Sequence, residues 1–410
     1  MIKGNVMVGQ SGGPTAVINA SLAGIYKTAK NAGCKTVYGM RNGIEGLLNE
    51  SYIDLSEYIK NELDIEVLKR TPSSFLGSCR YKLPSPEENP EVYERILKIL
   101  VRLGVKYFFY IGGNDSMDTT LRLSEYAVSV QSDIRFIGVP KTIDNDLPIT
   151  DHTPGYGSAA KYIATAVKEV LLDATPYDIK SVTVMEIMGR NAGWLTGASA
   201  LSRSEECPGP DLIYLPETVF DFDRFTEKVK EAMSKRKSIV ITVSEGIKTA
   251  DGKYVCEAGN ENMSIDAFGH KFLGGTAAFL AGYIKAKLGI KARGIELSTL
   301  QRCASHIVSK CDIDEAYIAG SAAVRAALNG ETGKMIIFRR MTNVPYTMQT
   351  DLCDISYIAN SEKTVPLEWI TNDGTDVSDK FTDYVRPLIL GELAPITVNG
   401  LPRHLVLKNN

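Results

Sequence analysis

The chain has 410 residues, 44% hydrophobic and 23% charged, enough to bury more core than one small domain and to suggest two. Its 46 basic and 49 acidic residues leave a formal net charge of −3, which excludes the basic footprint of a nucleic-acid binder. Seven cysteines without a CxxC, four scattered histidines and no membrane-length apolar stretch argue against a disulfide scaffold, a zinc site and a membrane span.

The N-terminus runs directly into an apolar segment, residues 6–8, and does not resemble a signal peptide; a cytoplasmic protein is expected. Ser11-Gly12-Gly13-Pro14 ends that strand, and a helical pattern follows to about residue 30. The same order recurs downstream. Residues 90–103 set Ile96, Leu97, Leu100 and Val101 on one helical face. Residues 107–111 read as a buried strand, broken by Gly112-Gly113-Asn114-Asp115-Ser116 before another helix. Residues 134–139 form a third strand, ended by Pro140 and an acidic loop.

A second series begins near Ser181. The stretch 182–188 is strand-like and largely apolar on both faces, and leads into Gly189-Arg190-Asn191-Ala192-Gly193. Further strands are expected at 238–244, 295–300 and 335–338, and helices at 271–288 and 313–328. Strands alternating with helices predict parallel sheets covered on both faces. Beyond residue 340 the pattern is less regular and reads as an extension that wraps the body.

In such folds ligands bind outside the C-terminal ends of the strands. Here those ends carry glycines, carboxylates, Lys141 and Arg190. The two glycine-rich turns either offer backbone N–H groups to an anion or simply make tight strand-to-helix turns. No GxxxxGK[ST] is present, and the GxGxx[GA] match at Gly155 does not follow a strand. The densest segment is Lys141-Thr142-Ile143-Asp144-Asn145-Asp146. Its carboxylate pair suits metal ligation, or a base beside a group that orients an arginine; such triplets also make ordinary turns. A lysine, a hydroxyl and a carboxylate within four residues suit phosphoryl transfer, which needs positioning, cations and an acceptor for a hydroxyl proton.

Several stretches together resemble the phosphofructokinase family. They are Ser11-Gly12-Gly13, Phe75-Leu76-Gly77-Ser78-Cys79-Arg80, Ile111-Gly112-Gly113, the 141–146 segment, Met188-Gly189-Arg190, Glu245, and Arg293 with Arg302 nine residues on. They keep the family's order over about residues 5–340. The resemblance implies an α/β fold of two Rossmann-like lobes with mainly parallel sheets and an active site in the interlobe cleft. The lobes would be residues 1–157 with 303–340, and 158–302 with 341–410.

It implies that Asp144 is the general base for the 1-hydroxyl of fructose 6-phosphate and that Thr142 contacts the sugar and the transferred group. Arg80 would span donor and acceptor beside Gly12, Gly13 and Gly113. Arg190, Asp146, Met188, Gly189 and Glu245 would hold the sugar. Arg293 and Arg302 would clamp its 6-phosphate, the clamp being shared between subunits of a homodimer or homotetramer. At the donor site, Lys141 and Asp115 resemble the pyrophosphate-dependent branch of the glycolytic family, where ATP-dependent members have glycines. Magnesium is expected with the donor, near Asn114 and Asp115. Asn114 departs from the family's usual aspartate, and Thr299 from a usual histidine or tyrosine. An ATP-dependent enzyme and a silent sugar-phosphate sensor are the competing readings.

Overall fold

The computed structural model describes residues 3–176, 178–258, 273–359 and 361–407. The first run of elements is β1 (Asn5–Gln10), α1 (Ile18–Asn31), β2 (Val37–Met40), α2 (Gly43–Leu48) and β3 (Tyr52–Asp54). Next come α3 (Glu62–Arg70), α4 (Pro90–Arg102), β4 (Val105–Gly112), α5 (Asn114–Ser129) and β5 (Arg135–Pro140). The second run is α6 (Tyr156–Ala174), β6 (Ser181–Ile187), α7 (Trp194–Gly197), β7 (Leu212–Tyr214), α8 (Phe222–Lys235) and β8 (Ser238–Ser244). Then follow α9 (Thr276–Leu288), β9 (Lys291–Glu296), α10 (Leu300–Cys303), α11 (Lys310–Leu328), β10 (Lys334–Asn343), β11 (Tyr346–Asp354) and, after β-bridged turns, α12 (Asp379–Val385).

These strands build two sheets. The larger has the order β11-β10-β5-β4-β1-β2-β3, parallel from β10 to β2 with an antiparallel strand at each edge. The smaller, β7-β8-β6-β9, is parallel throughout. The expected two α/β lobes are therefore present. The boundary expected at residue 340 is corrected: it would cut β10, whose hairpin with β11 keeps the chain on the first sheet to Asp354.

Helix α4 shows how sequence sets one layer. Pro90 stands in its first turn, where a missing N–H is harmless. Tyr93, Ile96, Leu97, Ile99 and Leu100 are buried against β4, each worth about 1.5–3 kcal/mol if fully withdrawn from water. Val101, expected on that face, is 66% exposed; the stripe centres on Ile96 and Leu100 instead. On the opposite face of the sheet α1 and α11 cross closely. A methyl group added at Gly24 would sit 2.1 Å from the Tyr317 carbonyl, and one at Gly320 2.0 Å from that of Ser21. Glycine is required at both because backbone meets backbone there.

The strand expected at 295–300 lies earlier. Strand β9 covers Lys291–Glu296 and α10 starts at Leu300; this edge strand buries only Ala292 and half-buries Ile295, so its residues carry little apolar periodicity to mark it. The helix expected from Lys271 begins at Thr276; residues 271 and 272 lie outside the described residues. The C-terminal extension does wrap the body. Val365, Val377, Phe381, Val385 and Leu388 pack with Trp194 in the second lobe's core. Farther on, Leu405 N donates to Thr71 Oγ1 of the first lobe.

Candidate active site

Three neighbouring strands of the first sheet end together. Ser11 N donates to the Ile111 carbonyl at 3.0 Å and Lys141 N to that of Gly112 at 3.0 Å. The ends of β1, β4 and β5 therefore bring the two glycine turns and the 141–146 loop side by side. The second sheet repeats the device: Glu245 N donates to the Ile187 carbonyl (2.9 Å) and Leu297 N to that of Glu186 (3.1 Å). Both sets of loops sit where strand order reverses, the usual place for a ligand in an open parallel sheet. They face each other across a cleft of about 580 Å³.

From the first lobe the cleft receives Gly12, Gly13, Arg80, Gly113, Asn114 and Asp115, with Lys141, Thr142, Asp144 and Asp146 on its floor. From the second it receives Met188, Arg190, Glu245, Thr299 and Arg302. Gly189 lies just behind, its N–H donating to Glu245 Oε1 at 3.3 Å. Arg293 is the one expected site residue that this chain turns elsewhere. It is exposed on edge strand β9, with Nη2 on Asp173 Oδ2 (2.9 Å) and Nε on Thr183 Oγ1 (3.2 Å).

Lys141 is 3% exposed and donates to the Gly13 carbonyl at 2.7 Å. A methyl group at Gly12 would lie 3.2 Å from its Nζ, and one at Gly13 3.3 Å from Arg302 Nη1, so bare backbone lets both cations approach the turn. Gly12 also has φ +76°, a left-handed conformation that glycine adopts without strain. Burial pushes the Lys141 ammonium down to about 8, against the pull of Asp144 and Asp146.

Asp144 N donates to Thr142 Oγ1 at 3.1 Å, which fixes the turn between hydroxyl and carboxylate. Burial raises the Asp144 carboxyl above its ordinary range, and Lys141, Thr142 and Arg190 oppose it. Burial, assisted by the charge of Asp144, pushes Asp146 up to about 7. Burial does the same to Glu245. A cleft that raises carboxylates and lowers a lysine is short of solvation, and a charged ligand would supply it.

Several residues facing the cleft were not singled out by sequence reasoning. Glu186, 5% exposed on β6, accepts from Ala277 N at 2.9 Å, and burial carries it up to about 7. A carboxylate inside an apolar strand was the available signal. Glu362, also on the cleft, accepts from Asn191 Nδ2 at 3.0 Å, and Gln301, buried behind the lining, accepts from Met188 N at 3.3 Å. Neither belongs to a local pattern.

Residues 5–304 match the family model described as phosphofructokinase. The chain is 42% identical over 407 residues to a pyrophosphate--fructose 6-phosphate 1-phosphotransferase of Halomonas elongata, covering 98% of this chain and 96% of the relative. It is also 42% identical over 409 residues to the protein of that name from Methylococcus capsulatus, covering 99% and 96%. The crystal structure of a pyrophosphate-dependent phosphofructokinase from Nitrosospira multiformis matches with a TM-score of 0.89 at 39% identity, covering 100% of this chain and 98% of that one. With both lobes, the cleft and its convergent basic and acidic groups in place, the chain belongs to the phosphofructokinase family.

Proposed function

We propose that the protein transfers a phosphoryl group from pyrophosphate to the 1-hydroxyl of fructose 6-phosphate, giving fructose 1,6-bisphosphate and phosphate. The carrying observation is Lys141: a buried ammonium held against the Gly13 carbonyl, between the glycine turns and Asp144. A compact charge there suits a leaving phosphate that bears no nucleoside. Asp115, exposed at the start of α5, sets a carboxylate beside the turn and disfavours a further phosphate beyond the pyrophosphate.

Asp144 accepts the hydroxyl proton late, as bonding to phosphorus acidifies that hydroxyl, and Thr142 keeps the carboxylate in its turn. Arg80, Arg190, Arg302 and Lys141 stabilise charge on the phosphoryl oxygens. Met188, Gly189 and Glu245 form the sugar wall. Asn114 and Asp115 offer one amide and one carboxylate oxygen, hard ligands that suit magnesium once donor oxygens and water complete its shell. Bound there, magnesium would neutralise charge on the donor phosphates.

Arg293 faces away from its own cleft, so its part in the 6-phosphate clamp calls for a neighbouring copy, and we propose a homodimer or homotetramer. Seven unpaired cysteines fit a reducing cytoplasm. The test is turnover of fructose 6-phosphate with magnesium and matched pyrophosphate, ATP or no donor. Strong turnover with pyrophosphate and almost none with ATP is expected. Strong turnover with ATP would overturn the donor assignment, and binding without turnover under every donor would overturn the reaction.

A further inference from the structure

A short run of the C-terminal extension, residues 361–365, touches three of the loops that build the cleft, those after β4, β5 and β6. The Ser361 carbonyl accepts from Asn114 Nδ2 at 2.9 Å, at the start of α5. Glu362 takes Asn191 Nδ2 on both oxygens, at 3.0 and 3.1 Å, in the loop after β6. Lys363 N donates to the Asp146 carbonyl at 2.7 Å, and the Lys363 carbonyl accepts from Trp194 Nε1 at 2.9 Å. Val365 N donates to Glu217 Oε1 at 2.8 Å, and the same oxygen takes Gly193 N at 2.8 Å.

The side chain of Lys363 acts on the loop that carries Asp144. Its Nζ donates to the Asp151 carbonyl (2.8 Å), the Thr150 carbonyl (3.2 Å) and Asn145 Oδ1 (3.4 Å). It lies 5.4 Å from the centroid of the Trp194 ring, which closes it off on another side. An ammonium has three protons, and here all three have acceptors on one stretch of loop. That loop needs a hold. Asn145, between the two carboxylates, has φ +55°, a left-handed conformation that costs residues with a Cβ, asparagine less than most. Its own amide is engaged at both ends, with Oδ1 also taking Thr153 N (3.1 Å) and Nδ2 donating to Tyr384 Oη (2.8 Å).

We infer that Lys363 is a positioning residue, which fixes the Asp144-Asn145-Asp146 turn from the C-terminal extension without touching substrate. The inference rests on the proposed reaction, in which Asp144 is the base. A base displaced by about 1 Å costs on the order of 10²-fold in rate, while Arg190, Met188, Gly189 and Glu245 of the sugar site, which lie outside this turn, stay in place. The loss therefore falls on kcat and spares KM.

The test uses the full chain with Lys363→Met and Lys363→Arg. With pyrophosphate, magnesium and fructose 6-phosphate, the methionine variant is expected to lose about 30–100-fold in kcat, with both KM values within about threefold of the parent. Arginine, which can reach the same carbonyls, is expected to recover most of the rate. Hydrogen exchange across residues 142–153 should quicken in the methionine variant, with the rest of the chain unchanged. A methionine variant at parental kcat, a loss falling mainly on KM, or an arginine variant no better than methionine overturns the inference. Should the methionine variant not fold, Lys363→Gln, shorter and uncharged, is measured instead; it is expected to lose kcat by a smaller factor, and a parental kcat there overturns the inference equally. An inactive parent would sink the assigned reaction instead; unaltered exchange in 142–153 would then still overturn the tether.

Discussion

Two polar clusters lie within a few residues of each other, and they are built on opposite principles. In the cleft, Lys141 is pushed down and Asp144, Asp146 and Glu245 are pushed up. In the hub around His152, each ring nitrogen meets a carboxylate: Nδ1 to Asp151 Oδ2 at 2.8 Å and Nε2 to Glu315 Oε2 at 2.6 Å. Arg340 adds a 2.9 Å bond to Asp151 Oδ2, and Tyr346 Oη donates to Glu315 Oε1 at 2.6 Å. Burial opposes charge on His152, yet Glu315 and Asp151 overcome it and carry the imidazole up to about 9. Burial likewise opposes charge on Asp151, and His152 with Arg340 holds it below the ordinary carboxylate range. The hub is matched within the protein, whereas the cleft leaves its charges in want of a ligand. The difference separates groups kept for stability from groups kept for chemistry.

The largest effect should come from breaking the cleft. Asp144→Asn removes the base, and kcat is expected to fall by ~10²–10⁴. The same change removes a poorly solvated charge, so the melting temperature should hold or rise. A clear drop in melting temperature would place Asp144 with the hub. Breaking the hub should do the reverse. His152→Gln leaves Asp151 and Glu315 without their shared cation and should cost about 3 kcal/mol of stability, read by urea unfolding. Its sign with pH follows from the raised imidazole. The contribution is complete below the unfolded value of about 6.5 and is lost as pH rises through about 9. Parent and variant should therefore converge in stability toward alkaline pH. A constant gap would mean that the hub works by packing and not by charge.

The cleft was far more legible in the sequence than the hub. Its loops follow strands directly, so Gly12, Gly113, Lys141, Arg190 and Glu245 could be placed by rhythm, by residue type and by resemblance. What joins distant segments was not visible. His152 meets Glu315 across 163 positions, and Lys363 meets Asn145 across 218. No local period encodes such a contact, and the extension beyond β11 runs mostly in short turns and 3₁₀ segments. The return of α11 onto α1 was equally hidden, since Gly24 and Gly320 reveal their close approach only once the helices cross. Val101 shows a finer limit: a helical stripe predicts a face to within about one residue of its edge.

The smallest effect is a change in the shape of the pH profile. For the free enzyme, kcat/KM should rise as Asp146 loses its proton at about 7, beside an Asp144 that burial also raises above the ordinary carboxylate range. It should fall again as Lys141 loses its proton near 8, which gives a narrow optimum between those values. Lys363 is also pushed by burial down to about 8, so two lysines compete for the alkaline limb. Lys141→Arg and Lys363→Arg separate them, because arginine keeps its charge throughout the range. The alkaline limb is expected to vanish in Lys141→Arg, whatever rate remains, and to survive in Lys363→Arg. Survival in the first and loss in the second would move that limb from the donor's cation to the tether of the base. The cleft's electrostatics would then depend on the C-terminal extension as much as on the loop that carries Lys141.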